Sequence, residues 1–141
     1  MRKRIRARVL AIVMATTSVF VLSGCTGSEV AECEQILEET VLTVKGVDSA
    51  EFTCKRNLGN SSEIGTIIFS VSTQQESTPI IEEIYRALAA EGRINDAWRP
   101  FITFAAAGGG VEFNDDALGF NGTPVIGDVR DRYDIHPPGT N

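Results

Sequence analysis

The sequence predicts an α+β protein: a four-stranded antiparallel sheet with helices on one face, in the order αββαββα, ferredoxin-like in the loose sense. Three observations carry this expectation. Helical spacing recurs in two separate stretches, Ile36-Leu37-Thr40-Val41-Val44 and Ile81-Ile84-Tyr85-Leu88. Strict alternation marks two others, Ala50-Phe52-Cys54 and Ile67-Phe69-Val71. Gly, Asn, Ser and Thr-Pro clusters separate these stretches.

The first helix is expected over 31–44. Glu32, Glu34, Glu38 and Glu39 mostly occupy its polar positions, the early acids suit a helix N-terminus, and Gly46 ends it. A half-buried strand follows over 49–56, with Ala50, Phe52 and Cys54 on one face and Glu51, Thr53 and Lys55 on the other. "NLGNSSE" reads as a turn-rich connection to a second strand over 65–72, which completes a hairpin. Thr78-Pro79 has the chemistry of a helix start, capping residue then proline, and predicts a helix over 79–91 stopped by Gly92. A third strand is expected over 101–107. Gly108 to Gly110 then bend the chain into a short fourth strand from Val111. After the loop "DDALGFNG", Thr123-Pro124 repeats the helix-start pattern. Val125, Val129 and Tyr133 outline a short third helix, weakened by Gly127 by about 1 kcal/mol relative to alanine.

Two antiparallel hairpins can share one sheet, with helices covering the face of Phe52, Ile67, Phe69 and Val71. Thr66, Ile68 and Ser70 would then lie on the opposite face, with Thr53 beside them, as a surface for a partner. Trp98, next to Arg99 and Pro100, either closes the edge of the core or joins that interaction surface.

The N-terminus has a different character. "MRKRIRAR" carries five basic residues and no acid, and Val9 to Leu22 is a mostly apolar run of fourteen residues. This is the charged and apolar layout of an export signal. The run is short for a permanent span, which needs roughly 20 apolar residues. Leu22-Ser23-Gly24-Cys25 closes it. Here the segment resembles a bacterial lipoprotein signal, whose lipobox reads apolar, small, small, Cys. The resemblance implies diacylglyceryl (palmitate-type) modification of the Cys25 thiol and cleavage between Gly24 and Cys25. Two acyl chains hold a bilayer firmly where one binds only marginally. An uncleaved anchor, or a secreted protein with a chance cysteine, is the alternative. The implied organisation is a signal peptide over 1–24, a tether over 25–30, a single α+β domain over 31–135 and a flexible tail over 136–141. The αββ element order is also similar to that of BON modules and of small lipoproteins of Gram-positive actinobacteria.

Removing residues 1–24 leaves 117 residues, enough for one modest core. Eight basic residues then face 19 acids, a formal net charge of −11. Such a body is expected to repel nucleic acid and to stand off an anionic lipid surface. Cys33 and Cys54 remain. Export places them in an oxidising compartment, and no metal-type spacing accompanies them, so a Cys33–Cys54 disulfide is expected over two free buried thiols.

Signals for chemistry are sparse. The single histidine, His136, lies in the tail; no G-x-S-x-G or H-E-x-x-H is present; "AAAGGGV" lacks the G-K-[ST] of a phosphate loop. Glu112, Asp115 and Asp116 cluster on one loop, and Asp128, Asp131 and Asp134 near the last helix, without the EF-hand pattern. No catalytic residue, metal site or cofactor is therefore expected. The expected function is a non-catalytic protein-interaction or structural module, lipid-anchored on the outer side of the cell membrane, with a protein partner in the envelope. The alternatives are an envelope enzyme using acidic residues and a small-ligand-binding lipoprotein.

Overall fold

The structure, a computed structural model, describes residues 25–57 and 60–138. The predicted signal over 1–24, including Gly24, and the side chain of Cys25 lie outside the described residues. The chain runs α1 (Cys25–Leu42), β1 (Val47–Asn57), β2 (Asn60–Phe69), α2 (Gln74–Ala90), β3 (Pro100–Ala106), β4 (Glu112–Phe113), a 3-10 turn η1 (Asp116–Leu118) and α3 (Ile126–Tyr133). The architecture is α+β, with three helices and one four-stranded sheet.

The sheet is mixed, which corrects the antiparallel expectation. Its strand order is β1-β2-β3-β4; β1–β2 and β3–β4 are antiparallel, but β2–β3 is parallel. The cause is α2. A parallel pair needs a crossover of a dozen or more residues, usually a helix, and α2 returns the chain to the end of the sheet where β2 began. The ferredoxin-like expectation falls with it. In that split arrangement another strand separates the two joined by the helix, whereas β2 and β3 are direct neighbours. The 3-10 turn before α3 is a further departure from the predicted order.

α1 begins at Cys25, so residues 25–30, expected as a tether, form its first turns. Val30 packs against the core one turn before Cys33, extending the inward face of Cys33, Ile36, Leu37, Val41 and Val44. α2 also starts earlier than Thr78-Pro79 suggests. Thr73 is the N-cap: its hydroxyl oxygen accepts from the Glu76 N–H at 3.3 Å. Pro79 consequently sits inside the helix. It removes the hydrogen bond to the Gln75 carbonyl, but Pro79 and Gln75 share the exposed face of the helix, which solvent reaches.

The core lies between the helices and one sheet face. Phe69 stacks on Phe104 at 5.7 Å and on Phe113 at 5.9 Å, and Tyr85 of α2 meets Phe104 edge-on at 6.3 Å. This row explains how a two-residue β4 holds: burying Phe113 contributes about 1.5–3 kcal/mol. Gly65 faces Phe52 across the β1–β2 pair, and a Cβ there would lie 2.4 Å from the Phe52 ring. The absent side chain is what lets that ring lie flat over β2. Gly108, Gly109 and Gly110 all have positive φ (90°, 78° and 86°), the left-handed region that glycine adopts without strain.

Two devices secure the periphery. Cys33 and Cys54 form the expected disulfide between α1 and β1, with both cysteines buried. Beside it, Glu34 accepts the Cys54 N–H and Glu38 accepts the Phe52 N–H, each at 3.0 Å. β1 is an edge strand, and α1 thereby occupies edge donors that would otherwise invite another strand. At the other end, Arg130 of α3 is only 7% exposed. Its Nε donates to the Ala89 carbonyl (2.8 Å), its Nη2 to those of Glu91 (2.9 Å) and Ile94 (3.0 Å), and its Nη1 to Asp96. It satisfies the Ala89 carbonyl in the last turn of α2 and adds to the bonding of the turn that follows. α3 turns Ile126, Val129 and Arg130 inward, one step from the Val125-Val129-Tyr133 face expected. The expected loose tail is packed at its start: Pro137 is buried, and the Pro138 carbonyl lies against Gly92.

Tyr85 ties α2 to the loop after β4. Its hydroxyl donates to Asp115 at 2.6 Å. Burial first, then the hydrogen bond and charge of Asp115, push the phenol far above its ordinary value of 10.0. Above pH 10 an unfolded chain releases a proton that the folded one keeps, so stability falls as pH rises. Alkaline titration is expected to show the Tyr85 tyrosinate absorbance only together with loss of helical circular dichroism. Tyr85→Phe should remove that coupling. Early ionisation of both tyrosines in the folded protein would contradict it.

Candidate functional site

Among the described residues nothing covers the sheet face away from the helices, and its pattern follows from the two registers. Thr53 pairs with Ile64, and Ile64 with Phe101, making one row across β1, β2 and β3. The next row is Glu51, Thr66 and Thr103; the one after is Ser49, Ile68 and Ala105, with Glu112 of β4 beside it. Alternation places every second residue of each strand on this face. Ile64 is 49% exposed and Phe101 50%, and both are ringed by threonines. Beside them Ser62, Ile64, Phe101, Ile102, Thr103 and Thr123 line a cleft of about 360 Å³. Only Phe104 and Ala105 of β3 pair with β4, so the Pro100–Thr103 half of β3 has no strand beyond it among the described residues.

Of the residues expected on an interaction face, Thr53, Thr66 and Ile68 share these rows. Ser70 lies just past the end of β2, where its hydroxyl and N–H both donate to the Gly46 carbonyl. Trp98 lies elsewhere. It is half-buried against the core and lines a different cleft, of about 280 Å³, with Glu29, Glu32, Cys33, Ile36, Arg56 and Arg93. In that region the Glu91 carboxylate takes the Arg93 backbone N–H, Nε and Nη2, each at 2.9 Å. These bonds hold Glu91 well below the usual carboxylate range, at about 2.

Sequence reasoning missed Ile64, Phe101 and Thr103 as members of the open face. Ile64 was assigned to no strand, because "NSSE" reads as loop. The face of β3 depends on its pairing with β2, which local pattern does not contain. The available signal was the alternation Ile64-Thr66-Ile68, which extends the strand one step earlier.

Of the acidic residues weighed as sites, Asp128 and Asp131 line one cleft of about 570 Å³ with Asp96, Arg130 and His136, and the others have separate surroundings. Asp115 is engaged by Tyr85, Asp134 pairs with exposed His136 at 3.0 Å, and Glu112 sits on the open face. Among the described residues no three His, Cys, Asp or Glu side chains are placed to hold a metal ion. No helix among them is long and apolar enough to cross a membrane. No protein-family model matches the chain, and no curated protein resembles it closely enough to imply common descent.

Proposed function

We propose that this protein is a lipid-anchored envelope protein whose body does no chemistry and presents its helix-free sheet face to a protein partner. The observation that carries the docking role is the row Thr53-Ile64-Phe101: two large apolar side chains, each half exposed, in register on the helix-free face. An apolar centre with a small polar rim is the anatomy of a protein interface. The location rests on Leu22-Ser23-Gly24-Cys25 and the basic and apolar segments before it. The likeness in element order to BON modules and small actinobacterial lipoproteins supports the same reading. A non-catalytic body is supported by how its acids are used, since Glu34, Glu38 and Asp115 all accept structural hydrogen bonds.

Two measurements test this. Labelled palmitate should travel with the polypeptide and be lost in Cys25→Ser, whose leader should also remain uncut. A photo-crosslinking residue at Phe101 should yield a discrete adduct in the native envelope, while the same residue at exposed Glu83 of α2 should not. Adducts of equal yield from both positions, or from neither, would remove the docking role. Palmitate retained by the serine variant would remove the anchor.

A further inference from the structure

We propose that the end of the body holding Arg56, Arg93, Trp98 and Arg99 rests on anionic phospholipid headgroups of the leaflet that anchors Cys25. This inference rests on the lipid-anchor reading and adds an orientation to it.

The topology brings these residues to the anchored end. α1 runs antiparallel to β1, because Glu34 bonds Cys54 while Glu38, one turn later, bonds Phe52. The start of α1 therefore lies toward the β1–β2 hairpin end of the sheet, where Arg56 is. β3 is parallel to β2 and begins at that same end, which places Trp98 and Arg99 there. α2 finishes there, which places Arg93. The cleft shared by Glu29, Glu32, Arg56, Arg93 and Trp98 closes the case for their proximity.

The attachment has little slack. α1 is helical from Cys25, and the disulfide fixes it to β1 at Cys33. Eight residues of helix span about 12 Å. A flexible tether would leave the body free to choose its orientation; a short helix pinned by a disulfide keeps this end at the headgroup layer.

Charge selects the same end. The segments 25–33, 54–63 and 91–100 hold four cations and five acids. Of these, Glu63 is buried, and Glu91 and Arg93 are paired with each other, which leaves Lys55, Arg56 and Arg99 against Glu29, Glu32 and Asp96. The rest of the body from residue 25 onward holds four cations and fourteen acids. Facing an anionic leaflet, a body of net charge −11 presents the end where repulsion is least and exposed Arg56 and Arg99 can reach phosphate. Trp98 is half-buried and lines the cleft, and tryptophan is enriched at membrane–water interfaces.

Trp98 is the only tryptophan in the chain, so its emission reports on this end alone. The lipidated full chain is reconstituted into phosphatidylcholine vesicles with and without phosphatidylglycerol, the lipids brominated near the top of the acyl chain. Trp98 should be quenched strongly with phosphatidylglycerol and weakly without it. The difference should vanish in about 1 M salt, where the Debye length is about 3 Å. It should also vanish in the double variant Arg56→Gln, Arg99→Gln. Vesicle-bound protein whose emission ignores bromination, or is quenched equally in both lipids and in the variant, overturns the proposal while leaving the anchor intact. Flotation with the vesicles reads the anchor separately. Cys25→Ser that floats as well as the parent overturns the anchor reading, and a parent that does not float overturns both.

Discussion

Replacing Cys33 and Cys54 together by alanine should lower the unfolding free energy by about 3 kcal/mol. The bond links residues 21 apart, and a closed loop of that size removes chain entropy from the unfolded state worth about that much at room temperature. For a domain whose total stability is of order 5–15 kcal/mol, the loss is a large fraction. It corresponds to a fall in Tm of roughly 12 °C for a body of this length. The fold itself should survive, because Leu37 and Val41 still bury α1 against the sheet and Glu34 and Glu38 still bond the β1 edge. Thermal denaturation of the parent and the double variant, followed by circular dichroism, decides the matter. A Tm within a few degrees of the parent would show that α1 is held by packing alone. Both sulfurs belong to buried residues, so mild reductant should leave the native protein oxidised and act only once the chain is opened.

Arg130→Met should cost about 3 kcal/mol, with the loss concentrated at the junction of α2 and α3. Methionine fills most of the volume but takes the guanidinium donors from the carbonyls of Ala89, Glu91 and Ile94, of which Glu91 keeps the Ile94 N–H. Bonds from a charged donor contribute about 1.5–3 kcal/mol each, and water entering from the adjoining cleft recovers part of the sum. Arg130→Lys keeps the charge but cannot fork to three carbonyls and Asp96 at once, so it should fall between parent and methionine. Asp96→Asn should be nearly silent, within about 1 kcal/mol, because that carboxylate is 67% exposed and its ion pair is screened. Urea unfolding of the three variants separates these contributions. A large effect of Asp96→Asn with a small one of Arg130→Met would reverse the assignment, making the ion pair rather than the carbonyl bonds the important contact.

The misreading of α3 has the same origin as the omission of Arg130. On a short helix, Val125-Val129-Tyr133 and Ile126-Val129-Tyr133 are both acceptable apolar faces. The second turns an arginine inward, which a hydropathy pattern penalises. Only the end of α2, whose carbonyls take the guanidinium bonds, makes that position favourable. Trp98 follows a similar logic. Whether it met solvent, core or partner depended on where α1 came to lie, and α1 is fixed by a helix–strand bond between residues 33 and 54.

The local elements were legible because they obey local physics. Alternating side chains in β1 and β2, helical spacing in α1 and α2, the glycine turn before β4 and the pairing of Cys33 with Cys54 are all written in neighbouring residues or in composition. How the two hairpins join was not. Each hairpin is antiparallel by itself, and the parallel seam between β2 and β3 is set by the return path of α2, a contact between residues tens of positions apart. That seam brings Phe101 beside Ile64 and so creates the apolar pair on the open face. Side-chain pattern encodes which face of a strand is buried; only the packing of whole elements decides which strands become neighbours.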